Sequence, residues 1–161
     1  MCQSVIIYIK ESTCPSGSIR GERIVYMGIC ASTFRNYLDQ GNIKYSTVDS
    51  NNIAIIFSGK NCSTIRILFS FGDENRDVAV CIPSIVSVGQ KVDVGHAICN
   101  TLNSSIRWLR FYIDRDNEIA AEGDAIISPD TAGEVCTIFM MKAVEIVDTV
   151  YPIIMQSLWS L

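Results

Sequence analysis

The chain shows two kinds of hydrophobic spacing, one with a period of two residues and one with a period of three to four. The clearest period of two lies in residues 64–71, where large apolar side chains alternate with mostly polar ones. A half-buried β-strand has this period, because successive side chains point to opposite faces of the sheet. The segment therefore predicts a strand with one core-facing row: Ile65, Ile67, Phe69 and Phe71.

Five further apolar or aromatic segments are separated by turn-forming residues, and we interpret them as strands. Pro83 has no backbone N–H for a sheet ladder, so the strand before it either ends there or lies at a sheet edge. Residues 85–88 are a candidate extension of that strand. The five segments are residues 44–48, 53–57, 78–82, 108–113 and 118–127.

Two short segments have the spacing of amphipathic helices. In residues 32–40 we expect Ser32 as the N-cap and Gly41 as the left-handed residue that follows the helix. In residues 94–102 we expect Asp93 as the cap. The side chains of this second helix that should face inward are Ala97, Ile98 and Leu102.

A longer helix is predicted from Ser128 towards the end of the sequence. Ser128 suits an N-cap, and Pro129 suits the first helical position, where its missing N–H is harmless. Pro152 should kink or break this helix near Asp148, because proline removes the hydrogen bond to the residue four positions earlier. The expected buried stripe is Val135, Ile138, Phe139, Ile146 and Val150, with Lys142 at its margin.

The elements follow the order α-β-β-β-β-α-β-β-α, which predicts an α+β fold with helices packed on one face of an antiparallel sheet. We expect residues 27–161 to form a single domain, long enough to bury its own core. Residues 1–26 show no comparable pattern. We interpret them as an N-terminal extension that is a gene-model artefact, with Met27 as the natural start; the intact mass of the natively expressed protein tests this.

Composition narrows the class of function. The 161 residues are 48% hydrophobic and 19% charged, as in globular rather than disordered proteins. The formal net charge of −4 argues against nucleic acid and anionic lipid as partners, since both are bound by basic surfaces. No apolar run reaches the length of a membrane span. We therefore expect a cytoplasmic protein that contacts neither nucleic acid nor membrane.

The residues that could support catalysis form no recognisable site in the sequence. The chain has seven cysteines, an odd number, and no two of them are at C-x-x-C spacing. This distribution is typical of buried thiols in a reducing compartment. His96 is the single histidine, and we interpret it as a surface or satisfied histidine rather than a metal ligand. Asp114, Asp116 and Glu118 alternate like calcium ligands but lack the glycine and distal glutamate of a calcium loop, so we interpret them as a turn. We expect no cofactor.

One predicted strand interleaves arginines with aromatic side chains. Trp108, Arg110 and Tyr112 would share the strand face opposite to that of Leu109. Trp, Tyr and Arg are enriched in protein interfaces, so these three are candidate interface residues. Trp159, in the apolar C-terminal segment, is the fourth candidate, since such a segment docks either on the sheet or on another subunit.

The segment Arg110-Phe-Tyr-Ile-Asp-Arg-Asp-Asn-Glu-Ile-Ala-Ala-Glu-Gly-Asp, followed by Asp148-Thr-Val-Tyr-Pro and a final Trp159, resembles the YbjN family. Members of that family are described as bacterial sensory transduction regulators and are similar in fold to type III secretion chaperones. The resemblance implies a small α+β protein without known catalytic residues, with other proteins as partners, and it permits a homodimer. Residues 1–26 depart from the family pattern.

These observations predict a non-catalytic, chaperone-like or regulatory protein that binds another protein or a peptide segment by strand addition or apolar packing. One alternative is a small enzyme with a carboxylate or cysteine centre, for which Glu122 and Asp124 on one strand are candidate carboxylates. A cluster of strongly shifted pKa values in a deep pocket would favour that enzyme, and a shallow apolar groove would favour binding. A purely structural subunit of a larger assembly is the third hypothesis.

Overall fold

The computed structural model describes residues 28–159, so the expectation for residues 1–26 lies outside the described residues. Within this range the elements follow the predicted order. The helices and strands are α1 (Ile29–Gln40), β1 (Tyr45–Thr47), β2 (Asn52–Phe57), β3 (Ile65–Phe71), β4 (Asp77–Ser87), α2 (Val92–Ser105), β5 (Arg110–Ile113), β6 (Glu118–Ile126) and α3 (Ala132–Trp159).

The strands form one antiparallel sheet in the order β1-β2-β3-β4-β6-β5. The isoleucines and phenylalanines of β3 are buried as predicted, and they mark the covered face. Phe34 of α1 packs there against Phe69 and Phe71, with ring centroids 4.8 and 6.0 Å apart. The helix α3 packs against β3 and β4, and α2 packs against β5. The predicted α+β fold, with helices on one face of an antiparallel sheet, is confirmed.

The helix α1 begins earlier than predicted. Ser32 donates its backbone N–H to the Gly28 carbonyl at 3.0 Å, so Ser32 lies inside the first turn and Gly28 is the N-cap. The expected left-handed glycine is also wrong, because Gly41 has a φ of −80° and Asn42 has a φ of 52°. Asparagine tolerates the left-handed region better than most residues, so the chain can reverse one position later.

The helix α2 extends beyond the predicted residues 94–102 at both ends, and its N-cap is Lys91 rather than Asp93. The expectation that Ala97 faces inward is wrong, because Ala97 is exposed. The inward row follows intervals of three and four residues, and it consists of Gly95, Ile98, Cys99 and Leu102.

The helix α3 begins at Ala132, and Ser128 closes a turn before it instead of capping it, with its carbonyl accepting the N–H of Ala132 at 2.9 Å. The predicted stripe is rotated, because Ile138 is 62% exposed. Gly133 contributes to this rotation, since the Tyr37 ring of α1 occupies the place that a side chain at Gly133 would need. The buried row is Ala132, Gly133, Cys136, Phe139, Met140, Ala143, Val147, Val150, Ile154 and Leu158.

Pro152 does not break α3, which continues to Trp159. The proline lacks the N–H that would bond the Asp148 carbonyl, and the Nδ2 group of Asn61 donates to that carbonyl instead, at 3.0 Å. The Asp148 carboxylate accepts the backbone N–H groups of Asn61 and Cys62 at 2.7 and 2.9 Å. These bonds, with the one from Cys62 the largest, lower the pKa of Asp148. The predicted break is absent because the β2–β3 loop satisfies the freed carbonyl.

The strand β4 passes through Pro83, so the candidate extension beyond the proline is confirmed. Ser84 has a φ of 54°, and the register with β6 shifts between Ile82 and Val86, as at a β-bulge. The ladder between β3 and β4 reaches only to Cys81. The proline therefore sits beyond the end of that ladder, where its missing donor costs no strand pairing.

Candidate protein interface

The sheet face opposite the helices is not covered by any helix of residues 28–159, and we call it the open face. Cross-strand register assigns its residues, because paired residues in antiparallel strands point to the same side. Its members are Ser46, Asn52, Ala54, Ile56, Arg66, Leu68, Ser70, Asp77, Ala79, Cys81, Ser87, Arg110, Tyr112, Glu118, Ala120, Glu122, Asp124 and Ile126.

One row of paired residues crosses every strand of the open face. Its middle is small or apolar, and its β5 end is ionic. The row runs Ser46, Ala54, Leu68, Cys81, Glu122 and Arg110. Beside the row, Ile56 is 61% exposed and pairs with the exposed Arg66. Ile126, at the far end of β6, is almost fully exposed. The face therefore has an apolar centre on β2, β3 and β4 that Arg66 interrupts, and a charged border on the side of β5 and β6.

The charged border is a set of surface ion pairs. Arg110 Nη2 lies 3.2 Å from Glu122 Oε1 and 3.6 Å from Asp124 Oδ2, and all three side chains are substantially exposed. Exposed pairs of this kind contribute little to stability, typically about 0–1 kcal/mol. Their main consequence is geometric, because they hold one guanidinium between two carboxylates at the edge of the apolar centre.

Tyr112 lies on the same face of β5 as Arg110 and is half-buried. Its hydroxyl is 4.0 Å from the Cys81 sulfur. Burial, with the neighbouring Cys81 as a second cause, raises the pKa of Tyr112 to about 12. Burial is also the largest cause of the raised pKa of Cys81. Both groups are therefore protonated near neutral pH, and they act as a packed, weakly polar contact rather than as a nucleophile with its base.

Trp108 stands just before β5 in a strained conformation, with a φ of 77°, and is 67% exposed. Bulky residues rarely adopt a positive φ, so the surrounding structure must hold this one in place. Gly123 allows it, since a side chain at Gly123 would collide with the Trp108 carbonyl oxygen. A shallow pocket of about 280 Å³ lies beside Trp108 and is also lined by Arg110 and Asp124. The indole is thus presented at a corner of the open face.

Trp159, the fourth candidate, is separated from the other three. It ends α3 on the covered side of the sheet and is 57% exposed. The Lys91 ammonium lies 4.6 Å from its ring centroid and also donates to the Leu158 carbonyl at 2.5 Å. The structure therefore places Arg110 and Tyr112 on one face of β5, and Trp108 beside Arg110 in the pocket, whereas Trp159 contacts Lys91 instead.

The five cysteines within residues 28–159 do not form an activated centre. Cys30, Cys62, Cys99 and Cys136 are buried and Cys81 is partly buried. Burial raises the pKa of Cys30, Cys99 and Cys136, the last to about 12, whereas a catalytic thiolate needs a lowered pKa.

The acidic turn is held as a turn, since Asp114 Oδ1 accepts the N–H groups of Asp116 and Glu118, both at 2.9 Å. Residues 28–159 contain no cluster of three or more His, Cys, Asp or Glu side chains that could hold a metal ion. The sequence-based candidates for chemistry are therefore dispersed across this part of the chain.

The sequence analysis missed the part of the open face formed by β2, β3 and β4. The available signal was Leu68, which interrupts the otherwise polar side of residues 64–71. Ile56 gave a weaker signal, because it lies in a run of consecutive apolar residues that has no polar side. Only the register between strands shows that both residues lie on the same face as Arg110.

Comparisons with known proteins add one solved structure and one family. A search of curated proteins finds no match. Among solved structures, the chain is similar to the type III secretion chaperone SycH of Yersinia pestis, in a crystal structure of SycH in complex with a stable fragment of YscM2. The identity is 13%, the TM-score is 0.42, and the match covers 73% of this chain and 98% of that chain. At this distance the similarity supports no inference about function.

Among the helices of residues 28–159, none is both long enough and apolar enough to cross a membrane. The YbjN family model, described as "Putative bacterial sensory transduction regulator", matches residues 31–154. That range takes in α1 and every strand of the sheet, together with most of α3. The chain therefore belongs to the YbjN family.

Proposed function

We propose that this protein is a non-catalytic regulator that binds a segment of another protein on the open face. The observation that carries the proposal is an apolar sheet face that no helix of residues 28–159 covers, bordered by the exposed Trp108 and the Arg110 ion pairs. Soluble proteins rarely leave such a face free unless something binds there. Membership of a family of sensory transduction regulators is consistent with a protein partner.

The chemistry of the face describes the partner segment. Small residues at the centre (Ala54, Ala79 and Cys81) leave the face flat enough for an apolar helix or strand to lie across it. At the border, Arg110 supplies one positive charge against the two carboxylates of Glu122 and Asp124. We therefore expect a segment with apolar side chains facing the sheet and a basic side chain near β6. The Trp108 indole would be its anchor, as aromatic residues often are in interfaces.

The alternative, a small enzyme, has less support. The pocket beside Trp108 is shallow, and neither Tyr112 nor Cys81 lines it. Both of these groups have raised pKa values, so they do not supply an ionised nucleophile. The free thiols within residues 28–159 suit a reducing compartment, so we place the binding function in the cytoplasm.

A pull-down of tagged protein from native lysate tests the proposal with variants that leave the core untouched. Leu68→Glu should place a charge at the apolar centre, and Trp108→Ala should remove the anchor. We expect the unchanged protein to recover a partner in stoichiometric amount, and each of the two variants to recover at least tenfold less of it. Trp159→Ala, another exposed tryptophan on the covered side, is the matched control and should retain the partner.

Thermal melts of all three variants should overlap that of the unchanged protein, which separates loss of binding from loss of folding. Equal recovery of the partner with Leu68→Glu and with the unchanged protein would contradict the proposal. If the protein turns over a small molecule and Cys81→Ser abolishes that turnover, the enzyme hypothesis would be favoured instead.

A further inference from the structure

The edge strand β1 has a defined set of outward-facing backbone groups. Val48 donates its N–H to the Asn52 carbonyl at 3.0 Å, so these two residues form a hydrogen-bonded pair in register with the β1–β2 ladder. Bonded and non-bonded pairs alternate in an antiparallel ladder. Ser46 with Ala54 is therefore the next bonded pair, and the peptide groups of Tyr45 and Thr47 point away from the sheet.

These outward groups have no hydrogen-bond partner within residues 28–159. The neighbouring outward positions are already used. Ile43 donates its N–H to the Leu38 carbonyl at 2.9 Å, and Asp49 donates its N–H to the Asn52 carbonyl at 3.5 Å. The free groups of this edge are thus the N–H and C=O of Tyr45 and of Thr47, which is the hydrogen-bonding pattern that recognises another β-strand.

We propose that β1 pairs antiparallel with β1 of a second copy of this chain, about a two-fold axis through Ser46. In this register Tyr45 lies opposite Thr47 of the second copy, and Thr47 lies opposite Tyr45 of the second copy. Each Tyr45–Thr47 pair then forms two backbone hydrogen bonds, so the outward N–H and C=O groups of both residues are satisfied in both copies. A register shifted towards either end would need the N–H of Ile43 or Asp49, which is already engaged.

The side chains of the edge are self-complementary in this register, which argues for a second copy as the occupant. Each Tyr45–Thr47 contact is an aromatic–β-branched pair, a favourable combination across strands. Lys44 lies opposite Val48 of the second copy, so no like charges face each other. Val48 is 65% exposed in a single chain and would be covered by the lysine stem.

The pairing would join two sheets into one continuous sheet with both open faces on the same side. It does not rest on the proposed function, since it uses only β1 and the residues that flank it, Lys44 and Val48. A three-residue strand offers few hydrogen bonds, so we expect a reversible dimer that dissociates on dilution rather than an obligate one.

Charged substitutions at Ser46, on the proposed two-fold axis, test the register in which the two β1 strands pair. Ser46 is exposed, and in the proposed dimer it faces Ser46 of the second copy. We expect Ser46→Glu alone and Ser46→Lys alone to be monomeric in analytical ultracentrifugation at concentrations where the full chain dimerises. An equal mixture of the two variants should dimerise again. Dimerisation of either variant alone, or failure of the mixture to dimerise, would overturn the proposal.

Backbone substitution and hydrogen exchange test the hydrogen bonds themselves. Thr47→Pro removes an outward donor without touching the β1–β2 ladder and should abolish the dimer, whereas Thr47→Val keeps the donor and should preserve it. The amides of Tyr45 and Thr47 should exchange at least tenfold more slowly in the dimer than after dilution. Fast exchange at every concentration would show that nothing pairs with the edge. Slow exchange at every concentration would show that another segment of the same chain covers it; either result refutes the second copy as occupant.

Discussion

The two edges of the sheet differ in how their outward backbone groups are satisfied. At the β5 edge, Asn103 of α2 behaves like one residue of an additional strand. Its Nδ2 group donates to the Phe111 carbonyl at 2.9 Å, and its Oδ1 accepts the Phe111 N–H at 2.7 Å. At the β1 edge, Tyr45 and Thr47 have no equivalent partner within residues 28–159. A side chain thus satisfies the central backbone groups of the β5 edge, whereas those of the β1 edge are unpaired within residues 28–159.

The difference follows from where the helices lie. The helix α2 runs alongside β5 and can present an amide to it, whereas α1 turns into β1 and contributes no such side chain. Unpaired edges invite pairing with another chain, and proteins commonly cover or blunt them. Satisfaction of the backbone groups, rather than strand length alone, therefore determines which edge of this sheet is open to a partner.

The greatest loss of stability is expected at the β5 edge, where Asn103 bonds to the backbone of Phe111. Asn103→Ala leaves the N–H and C=O of Phe111 unpaired at a partly buried position, which should cost about 1–3 kcal/mol of unfolding free energy. Urea denaturation measures the loss. Asn100→Ala, a substitution at an exposed position of the same helix, is the control and should change stability by less than about 0.5 kcal/mol. Equal stability of the two variants would show that the amide does not close the edge.

The second prediction concerns another backbone group satisfied by an asparagine side chain. Asn61→Ala removes the donor to the Asp148 carbonyl that Pro152 leaves free and should cost about 0.5–1.5 kcal/mol. In a Pro152→Ala background the helix supplies its own N–H, so Asn61→Ala should cost less. A double-mutant cycle measures this coupling. Additive losses would mean that the asparagine does not compensate for the proline.

The third prediction uses pH. Because backbone donors lower the pKa of Asp148 in the folded chain, its contribution to stability is present above the unfolded value of 3.8 and is lost as pH falls below it. The unfolding midpoint of the unchanged protein should therefore fall more steeply below about pH 4 than that of Asp148→Asn. Parallel acid profiles for the unchanged protein and Asp148→Asn would contradict the role assigned to Asp148.

The smallest effect on stability is expected at the charged border of the open face. Arg110→Met breaks two exposed ion pairs and should change the unfolding free energy by less than about 0.5 kcal/mol. The same substitution should weaken partner recovery in the pull-down, because it leaves two carboxylates uncompensated at the site. A large stability loss without any loss of binding would assign Arg110 to the fold rather than to the interface.

The order of the elements could be predicted from the sequence because period-two segments and turn residues are local signals. Helix starts were less predictable. Ser32 and Ser128 both looked like caps, yet the backbone carbonyl of Gly28 opens α1 and a turn precedes α3. The rotation of α3 depends on Tyr37 packing at Gly133, a contact between distant parts of the chain that spacing alone does not reveal.

The same limit applies to the candidate site. The alternation of Arg110 and Tyr112 was readable, and both lie on one face of β5. Trp108 lies before β5 with a φ of 77°, so the predicted strand does not extend to it. Trp159 is aromatic as well, but its ring lies against Lys91. The asparagine contacts could not be predicted. Asn61 bonds to Asp148, which lies 87 positions away in the sequence. The partner of Asn103 depends on which residues of β5 have backbone groups that point away from β6.

Site-specific photo-crosslinking in cells tests the binding function most directly. Ile56 on the open face and Ile138 on α3 are 61% and 62% exposed, so a photoreactive amino acid at either position samples solvent equally. We expect a single abundant crosslinked partner from position 56 that disappears on Trp108→Ala, and none from position 138. Crosslinks of equal yield from both positions, or from position 138 alone, would contradict binding on the open face.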